Sequence, residues 1–455
     1  MNASPGCTPE AAAAFFGPGR ALFWAQAPGR LDLFGGIADY SGSLVLQLPL
    51  AKSTVVGVAW RDDRLVRARS VELGDFSLAL ESLLDEAGDP RSPEQVQRLL
   101  AREPSHAWAA YVVGSLLLLA HVKGLKLTRG VDLLVASEVP IGKGLASSAS
   151  LEVAALRALS QAAAIDLDGE GGVELAALAQ RVENEVVGAP CGIMDQVAIQ
   201  RGRPGTLLPI ICRPCEVLEP VPLPPELRVF AVDSGVRHAV GSASYTDVRT
   251  AAYMGYSLIA GACGTPAQAL SRARETGDRS SLPFGGYLAN VAPSLFEERF
   301  SRLLPEQMTG HEFLAAGYPS IDRATAVEED RTYRVRAAAA HPVFENFRIE
   351  LALRLLRSLA AGEPSCPGSR ERVYRHLGEI LFQAHASYTA CGLGHDATDR
   401  IARLARELGP ESGVYGARVT GGGAGGTVCL LCRADLEPEA LKSQLAGTPF
   451  ALLDL

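Results

Sequence analysis

The sequence predicts a two-domain chain of mixed helix and strand, and three observations carry that expectation. First, 455 residues with 47% hydrophobic content exceed one compact domain of ordinary size and suffice for a large core. Second, short strand-like runs recur among longer helix-like ones in both halves. Third, the texture changes over residues 201–225, with seven prolines between Pro204 and Pro225, and the boundary is placed there. The division expected is a loose tail over residues 1–20, a first domain over 21–205 and a second over 206–455.

The elements follow in order. Ala21-Leu-Phe-Trp-Ala-Gln-Ala is an apolar, strand-like run that Pro28-Gly29 is expected to break. Residues 44–48 and 54–60 are separate strand candidates, and Arg61-Asp-Asp-Arg makes a turn. Residues 76–104 read as helical with polar breaks, 108–125 as a mostly apolar helix and 131–135 as a short strand. Residues 151–164, rich in Ala and Leu, read as a helix. Leu175, Leu178, Val182 and Val186 recur at spacings of 3, 4 and 4, the apolar stripe of an amphipathic helix. Later, 227–232 reads as a strand, 245–261 and 346–361 as helices, and Gly421-Gly-Gly-Ala-Gly-Gly runs into a strand.

A formal net charge of −8 carries no nucleic-acid footprint. It leaves a phosphate ligand open, because backbone amides and metal, rather than net charge, hold phosphate. No basic residue precedes Arg20, so the charged start of a signal peptide is absent. The apolar stretch around 116–120 is far below the ~18 residues of a membrane span. A cytoplasmic protein, monomeric, with no membrane or nucleic-acid partner, is expected. The nine cysteines are odd in number and scattered, which argues against a disulfide framework. Two CxxC spacings, Cys212 with Cys215 and Cys429 with Cys432, could assemble a four-cysteine zinc site. The favoured reading makes Cys429 and Cys432 small core residues in an apolar run.

Between the strand at 131–135 and the helix at 151–164 lies Pro140-Ile-Gly-Lys-Gly-Leu-Ala-Ser-Ser-Ala. Gly142 and Gly144 let the backbone approach a phosphate with no Cβ in the way. The helix that follows offers free N–H groups and the positive end of its dipole to an anion. Ser147 and Ser148 add hydroxyls for phosphate oxygens or Mg2+, and Leu145, Ala146 and Ala149 complete the candidate phosphate-binding set. The spacing is not that of a Walker A loop. A plain strand–helix turn with a serine N-cap stays open as the alternative. The later glycine cluster contains a G-x-G-x-x-G spacing, but a strand follows where a dinucleotide site needs a helix. It suits a close backbone approach to another loop or to substrate.

Four segments stand in one order: Pro28-Gly-Arg-Leu-Asp-Leu-Phe-Gly-Gly-Ile-Ala-Asp-Tyr, residues 140–152, Gly188-Ala-Pro-Cys-Gly-Ile-Met-Asp-Gln, and Arg418-Val-Thr-Gly-Gly-Gly-Ala-Gly-Gly. Together they resemble the galactokinase branch of the GHMP small-molecule kinases, over nearly the whole chain from about residue 21. The resemblance implies two α+β domains with the active site in the cleft between them, and ATP with Mg2+. It implies that Asp195 is the general base, or orients the sugar hydroxyl. Arg30 would hold Asp195 ionised and stabilise charge on the transferred phosphoryl group. Glu183, twelve residues before Asp195, is implied as a Mg2+ ligand with Ser147 or Ser148, and Trp108 as an aromatic against adenine. Taken alone, Glu183 would be a solvated helix charge and Trp108 a core residue.

Galactokinases read Gly-Glu-His-Thr-Asp-Tyr where this chain has Gly35-Gly36-Ile37-Ala38-Asp39-Tyr40. In that family the Glu and His meet the sugar near its C6 hydroxymethyl, and the Asp meets ring hydroxyls. Asp39 is kept, whereas Gly36 and Ile37 are not polar. A hydroxymethyl there would lose its partners, at about 1–3 kcal/mol for an unpaired buried hydroxyl, and Ile37 would fill the space of a sixth carbon. A galacto-configured sugar without C6 is L-arabinopyranose. The run from Phe34 to Gln47, Tyr333-Arg-Val-Arg-Ala and His341-Pro-Val-Phe-Glu-Asn-Phe-Arg resemble the plant L-arabinokinases. The run from Asp233 to Tyr245 resembles the family's sugar side, which implies Tyr245 and the Gly192 backbone as sugar contacts. A packing residue at a helix start is the alternative for Tyr245. The expectation is an ATP-dependent L-arabinose 1-kinase. The rivals are a galactokinase and, more remotely, a non-catalytic sugar sensor, against which Ser148, Arg30 and Asp195 argue. Residues 262–345 resemble the family weakly and are given no chemistry.

Overall fold

The computed structural model describes residues 9–167, 172–236 and 243–454; residues 237–242, within the segment expected on the sugar side, lie outside them. Backbone contacts gather the described chain into two units. One holds residues 9–30, Pro49–Ile141 and Leu145–Gly202, and the other holds Leu31–Leu48, Gly142–Gly144 and residues 203–454. The stretch 31–48 joins the second unit because Leu44 to Gln47 pair antiparallel with the strand Thr206–Ile211. Such a return is not visible to a boundary drawn from composition.

In the first unit the strands lie in the order Gly74–Ala79, Leu65–Ser70, Val131–Ser137 and then the later part of Leu44–Trp60. Val131–Ser137 runs parallel to Leu65–Ser70 and antiparallel to Thr54 through Trp60. The candidates at 44–48 and 54–60 are one strand, since no turn signal separates them. The helical reading of 76–104 holds for Pro93–Leu100, which Ser92 and Gln95 close with a capping box, and for a short 3-10 turn at Leu80–Leu83. Residues 74–79 are a strand instead, paired with 65–70 and burying Phe76. The apolar helix Ala109–Lys123 has four consecutive buried leucines, 116 to 119, the mark of a helix covered on every side.

Val131–Ser137 alternates between two apolar layers, as a strand buried on both faces must. Val131, Leu133 and Val135 join the main core of Val113, Leu117, Ala155 and Leu159. Leu134 and Ala136 face the other way, onto Ala12, Phe15, Phe16 and Ala59. The helix Pro9–Phe16 therefore covers that face, and residues 9–16 are not a loose tail. The physical reason is the apolar surface that the strand would otherwise expose. Asp132, on the same face and fully buried, is held by Arg20, Arg61 and Arg67 at 2.5–2.9 Å. Burial alone would raise its carboxyl, but the three guanidiniums hold it below the usual range.

The second unit contains an antiparallel sheet ordered Val414–Val419, Thr427–Arg433, Leu227–Asp233 and Ala451–Leu453. Cys429 and Cys432 are buried on its strand Thr427–Arg433, where burial pushes both thiols up to about 12. Among the described residues no group of three or more His, Cys, Asp or Glu side chains is arranged to hold a metal by itself. A separate core of the same unit packs the helices Ala243–Ala262, Val335–Ala360 and Pro367–Cys391 around Tyr256, Tyr333 and Phe313. Among the described residues no helix is long and apolar enough to cross a membrane.

Candidate functional site

The strand Phe23–Phe34 carries Arg30 and passes through Pro28-Gly29 without a break. Gly29 serves a close approach: a Cβ there would meet Val139 Cγ1 at 2.9 Å and the Leu145 carbonyl oxygen at 3.0 Å. Beside it, the Arg30 N–H donates to the Leu145 carbonyl at 3.1 Å, which binds the phosphate-type loop to this strand. Arg30 is 3% exposed and grips Asp195 with two parallel bonds, Nε to Oδ1 at 2.9 Å and Nη2 to Oδ2 at 2.6 Å. Such a fork fixes orientation as well as charge. Asp195 lies in the first turn of the helix Met194–Arg201, where the dipole favours a carboxylate.

Glu183 is where the sequence expects a regular helix. The α-helix Glu174–Arg181 instead passes into a π-helical turn, Val182–Val187, a widening often found at functional positions. Glu183 is buried there, as is Glu152 on the helix Ser147–Ala163. The Gln196 amide nitrogen donates to both, to Glu183 Oε2 at 2.9 Å and to Glu152 Oε2 at 3.2 Å. The remaining oxygen of each carboxyl, Oε1, is buried without a hydrogen-bond partner among the described residues. Burial, with the Asp195 charge adding to it, lifts Glu183 to about 7, while the Ser148 hydroxyl, Cys191 and Gln196 pull the other way. Burial and the Glu183 charge raise Glu152 well above the carboxylate range. An unpartnered buried carboxylate oxygen next to a serine hydroxyl fits a hard divalent cation that takes its other oxygens from phosphate and water.

The folded-state pKa of Glu183 stands above its ordinary 4.5. Its cost to the fold is therefore absent below about pH 4.5, grows as pH rises, and is complete above about 7. We expect Glu183→Gln, in metal-free buffer, to raise Tm at pH 8 and to flatten the fall of Tm between pH 5 and 7.5. The gain corresponds to roughly a few kcal/mol at neutral pH. Parallel Tm–pH curves for the two proteins would count against a buried, costly carboxylate.

The loop 140–146 turns on left-handed residues, Gly142, Gly144 and Ala146, at φ of 71°, 75° and 57°. The helix starts at Ser147, so Ser147, Ser148 and Ala149 form its first turn. No side chain caps it, so its first N–H groups face outward from the helix end without an intrahelical acceptor. Leu145 is buried, and Lys143 pairs with Asp233 at 2.6 Å within the second unit. Trp108 lies in the hydrophobic core of the first unit, 7% exposed, with its indole Nε1 unpartnered among the described residues. Gly192 stands in the turn between Cys191 and the helix of Asp195. Cys191 is tied back by its N–H to Asn184 Oδ1 at 2.8 Å.

In the second unit, Gly36, Ile37 and Asp39 occupy the 3-10 turn Gly36–Ser41, all buried. Asp39 Oδ1 accepts the Tyr40 N–H at 2.6 Å. Ile37 shares a hydrophobic cluster with Tyr40 and Tyr245, and those two rings meet edge to face at 6.1 Å. Tyr245 sits in the first turn of the helix Ala243–Ala262. Beneath the turn runs a buried polar network. Asp32 accepts the Gly36 N–H at 3.1 Å, the Gln47 amide at 2.7 Å, the Gly421 N–H at 3.2 Å and Arg418 Nη2 at 3.2 Å. The glycine run at 421 is thereby bound to the Gly36 turn through Asp32.

The GHMP kinases N terminal domain model matches residues 110–203 and the GHMP kinases C terminal model matches 367–449. A galactokinase of Chloroflexus aggregans is 31% identical over 93% of this chain and 87% of its own length. The chain belongs to the GHMP kinase family. The L-arabinokinase of Arabidopsis thaliana is 36% identical over 94% of this chain but 44% of its own length, so this GHMP kinase spans less than half of that relative. The crystal structure of Lactococcus lactis galactokinase complexed with galactose matches with a TM-score of 0.68 at 23% identity, covering 98% of this chain and 95% of that one. Methanococcus jannaschii mevalonate kinase matches with a TM-score of 0.54 at 14% identity, over 96% and 98% of the two chains. Both likenesses are of fold.

Sequence reasoning assigned no role to several residues at these sites. Glu152 and Gln196 lay inside matched motifs, but only the folded chain shows one amide bridging two buried carboxyls. Asp32, Arg418 and Tyr388 are spread over nearly the whole length of this GHMP kinase. Arg418 could have been flagged as an arginine in an otherwise apolar strand.

Proposed function

We propose that this chain transfers the terminal phosphoryl group of ATP to the C1 hydroxyl of a sugar, and that the sugar is L-arabinose. The observation that carries the phosphoryl transfer is the bidentate Arg30–Asp195 pair. Asp195, held in the Arg30 fork, accepts the hydrogen bond of the attacking hydroxyl and takes its proton. The sugar oxygen bonds to phosphorus as the bond to the ADP oxygen breaks. Arg30 also offsets negative charge on the moving group. The uncapped start of the helix Ser147–Ala163 and the glycines of the loop receive phosphate oxygens. Glu183 and Ser148 would hold Mg2+, which would supply positive charge to those oxygens.

The choice of sugar rests on Gly36 and Ile37, which give a hydroxymethyl no polar partner, and is supported by the likeness to a protein named L-arabinokinase. A galactokinase is the second reading, favoured by the relatives of that name. Coupled measurement of ADP release over a panel of sugars decides between them. We expect kcat/KM on L-arabinose at least about tenfold above D-galactose, the worth of one well-placed contact, with phosphate at C1 of the product. Equal or better use of D-galactose would sink the pentose, and no sugar-dependent ADP release at all would sink the kinase.

A further inference from the structure

Gly36 is a glycine for a reason that lies far along the chain. A Cβ built on it would stand 1.5 Å from Tyr388 Oη and 2.7 Å from Arg418 Nη2. Its φ of 54° already strains any residue but glycine, and the tyrosine adds a steric obstacle that the backbone alone would not impose. Tyr388 cannot step aside. It is fully buried, its ring meets His341 edge to face at 5.2 Å, and the Arg418 guanidinium lies 5.2 Å from its centroid. Its hydroxyl accepts the Ile37 N–H at 2.8 Å and donates to the Gly421 carbonyl at 2.8 Å. Both bonds are internal, so Oη is committed to the fold.

We propose that Tyr388 is the positioning residue that sets discrimination at the sugar's sixth carbon. It occupies the place of any side chain at position 36 and holds the Ile37 backbone through its N–H, so that position 36 can present no side chain to the sugar. The inference rests on the reading that the 36–39 turn faces the sugar. It goes further in locating the cause of specificity on the helix Pro367–Cys391. Arg418 serves as the rigid backing, because its guanidinium is bound by Asp32 and Glu345.

The test uses the intact protein and two conservative variants, Tyr388→Phe and Gly36→Ala, assayed with ATP on L-arabinose and D-galactose. Tyr388→Phe should lower the arabinose-to-galactose ratio of kcat/KM by about tenfold, the effect of freeing one buried hydrogen bond at the point of discrimination. The KM for ATP should stay within about threefold, since that bond does not hold the nucleotide loop. Gly36→Ala should lower Tm and cut kcat/KM on both sugars, and the Tm loss should be smaller when it is combined with Tyr388→Phe, which removes the atom struck. A folded Tyr388→Phe with an unchanged ratio overturns the proposal, as does a Gly36→Ala that behaves like the parent. The two readings fail separately. A parent enzyme that prefers D-galactose defeats the pentose assignment while the ratio can still move, whereas a fixed ratio in an arabinose-preferring enzyme defeats only the role of Tyr388.

Discussion

Asp195→Asn is expected to lower kcat by about 10²–10⁴ while the protein remains folded. Asparagine keeps the size of the side chain and one oxygen toward Arg30, so the local packing survives. It cannot take the hydroxyl proton, and it no longer presents a full charge to orient the donor. Arg30 is 3% exposed, and the charge of this fork is lost. A fall in Tm of a few degrees should accompany the change. Turnover at saturating ATP and sugar, with Tm measured on the same preparation, separates the two effects. Near-parental turnover would remove Asp195 from its role, and a collapsed Tm would mean that the pair is chiefly structural.

Arg418→Met is expected to destabilise the second unit strongly rather than to slow a reaction. Arg418, Asp32 and Glu345 are all fully buried. The guanidinium binds Asp32 at 3.2 Å and Glu345 at 3.4 Å, and electrostatic attraction to both carboxylates keeps it protonated despite burial. Glu345 retains Arg348 at 2.8 Å after the change, but Asp32 retains only neutral donors. Breaking one side of such a group costs about 3–5 kcal/mol, against a total stability of about 5–15 kcal/mol. Soluble yield and the urea midpoint read the loss. The double change Asp32→Asn and Arg418→Met should recover much of it, because Glu345 keeps Arg348 and Asp32 no longer leaves a buried charge unpaired. An unchanged midpoint in the single variant would show that the network contributes little.

Much of the candidate site was legible because it is written in short runs. Pro28-Gly-Arg, the 140–149 loop and the run ending at Asp195 each place their residues by local geometry: a close-packed strand, a left-handed turn, a helix start. The readings that changed share a different character. Residues 9–16 looked like a tail because the surface they cover, Leu134 and Ala136, lies on a strand more than a hundred residues away. Residues 74–79 pair with a neighbouring strand that overrides their local preference. The π-turn at Glu183 depends on packing that a 3.6-residue period does not contain.

By itself the sequence determined the order of motifs, the position of the glycine–serine loop, and the absence of polar groups at 36 and 37, whereas the pairing of Arg30 with Asp195, 165 residues apart, was implied only by the family resemblance. The former follow from residue type and spacing, which are local. The tertiary structure alone decided that Glu152 and Glu183 share the Gln196 amide, that Asp32 binds the Gly36 turn to the Gly421 run, and that Tyr388 occupies the space beside Gly36. The physical reason is range. Hydrogen bonds and steric exclusion act over about 3 Å, and only the folded backbone brings residues 36, 388 and 418 within that distance.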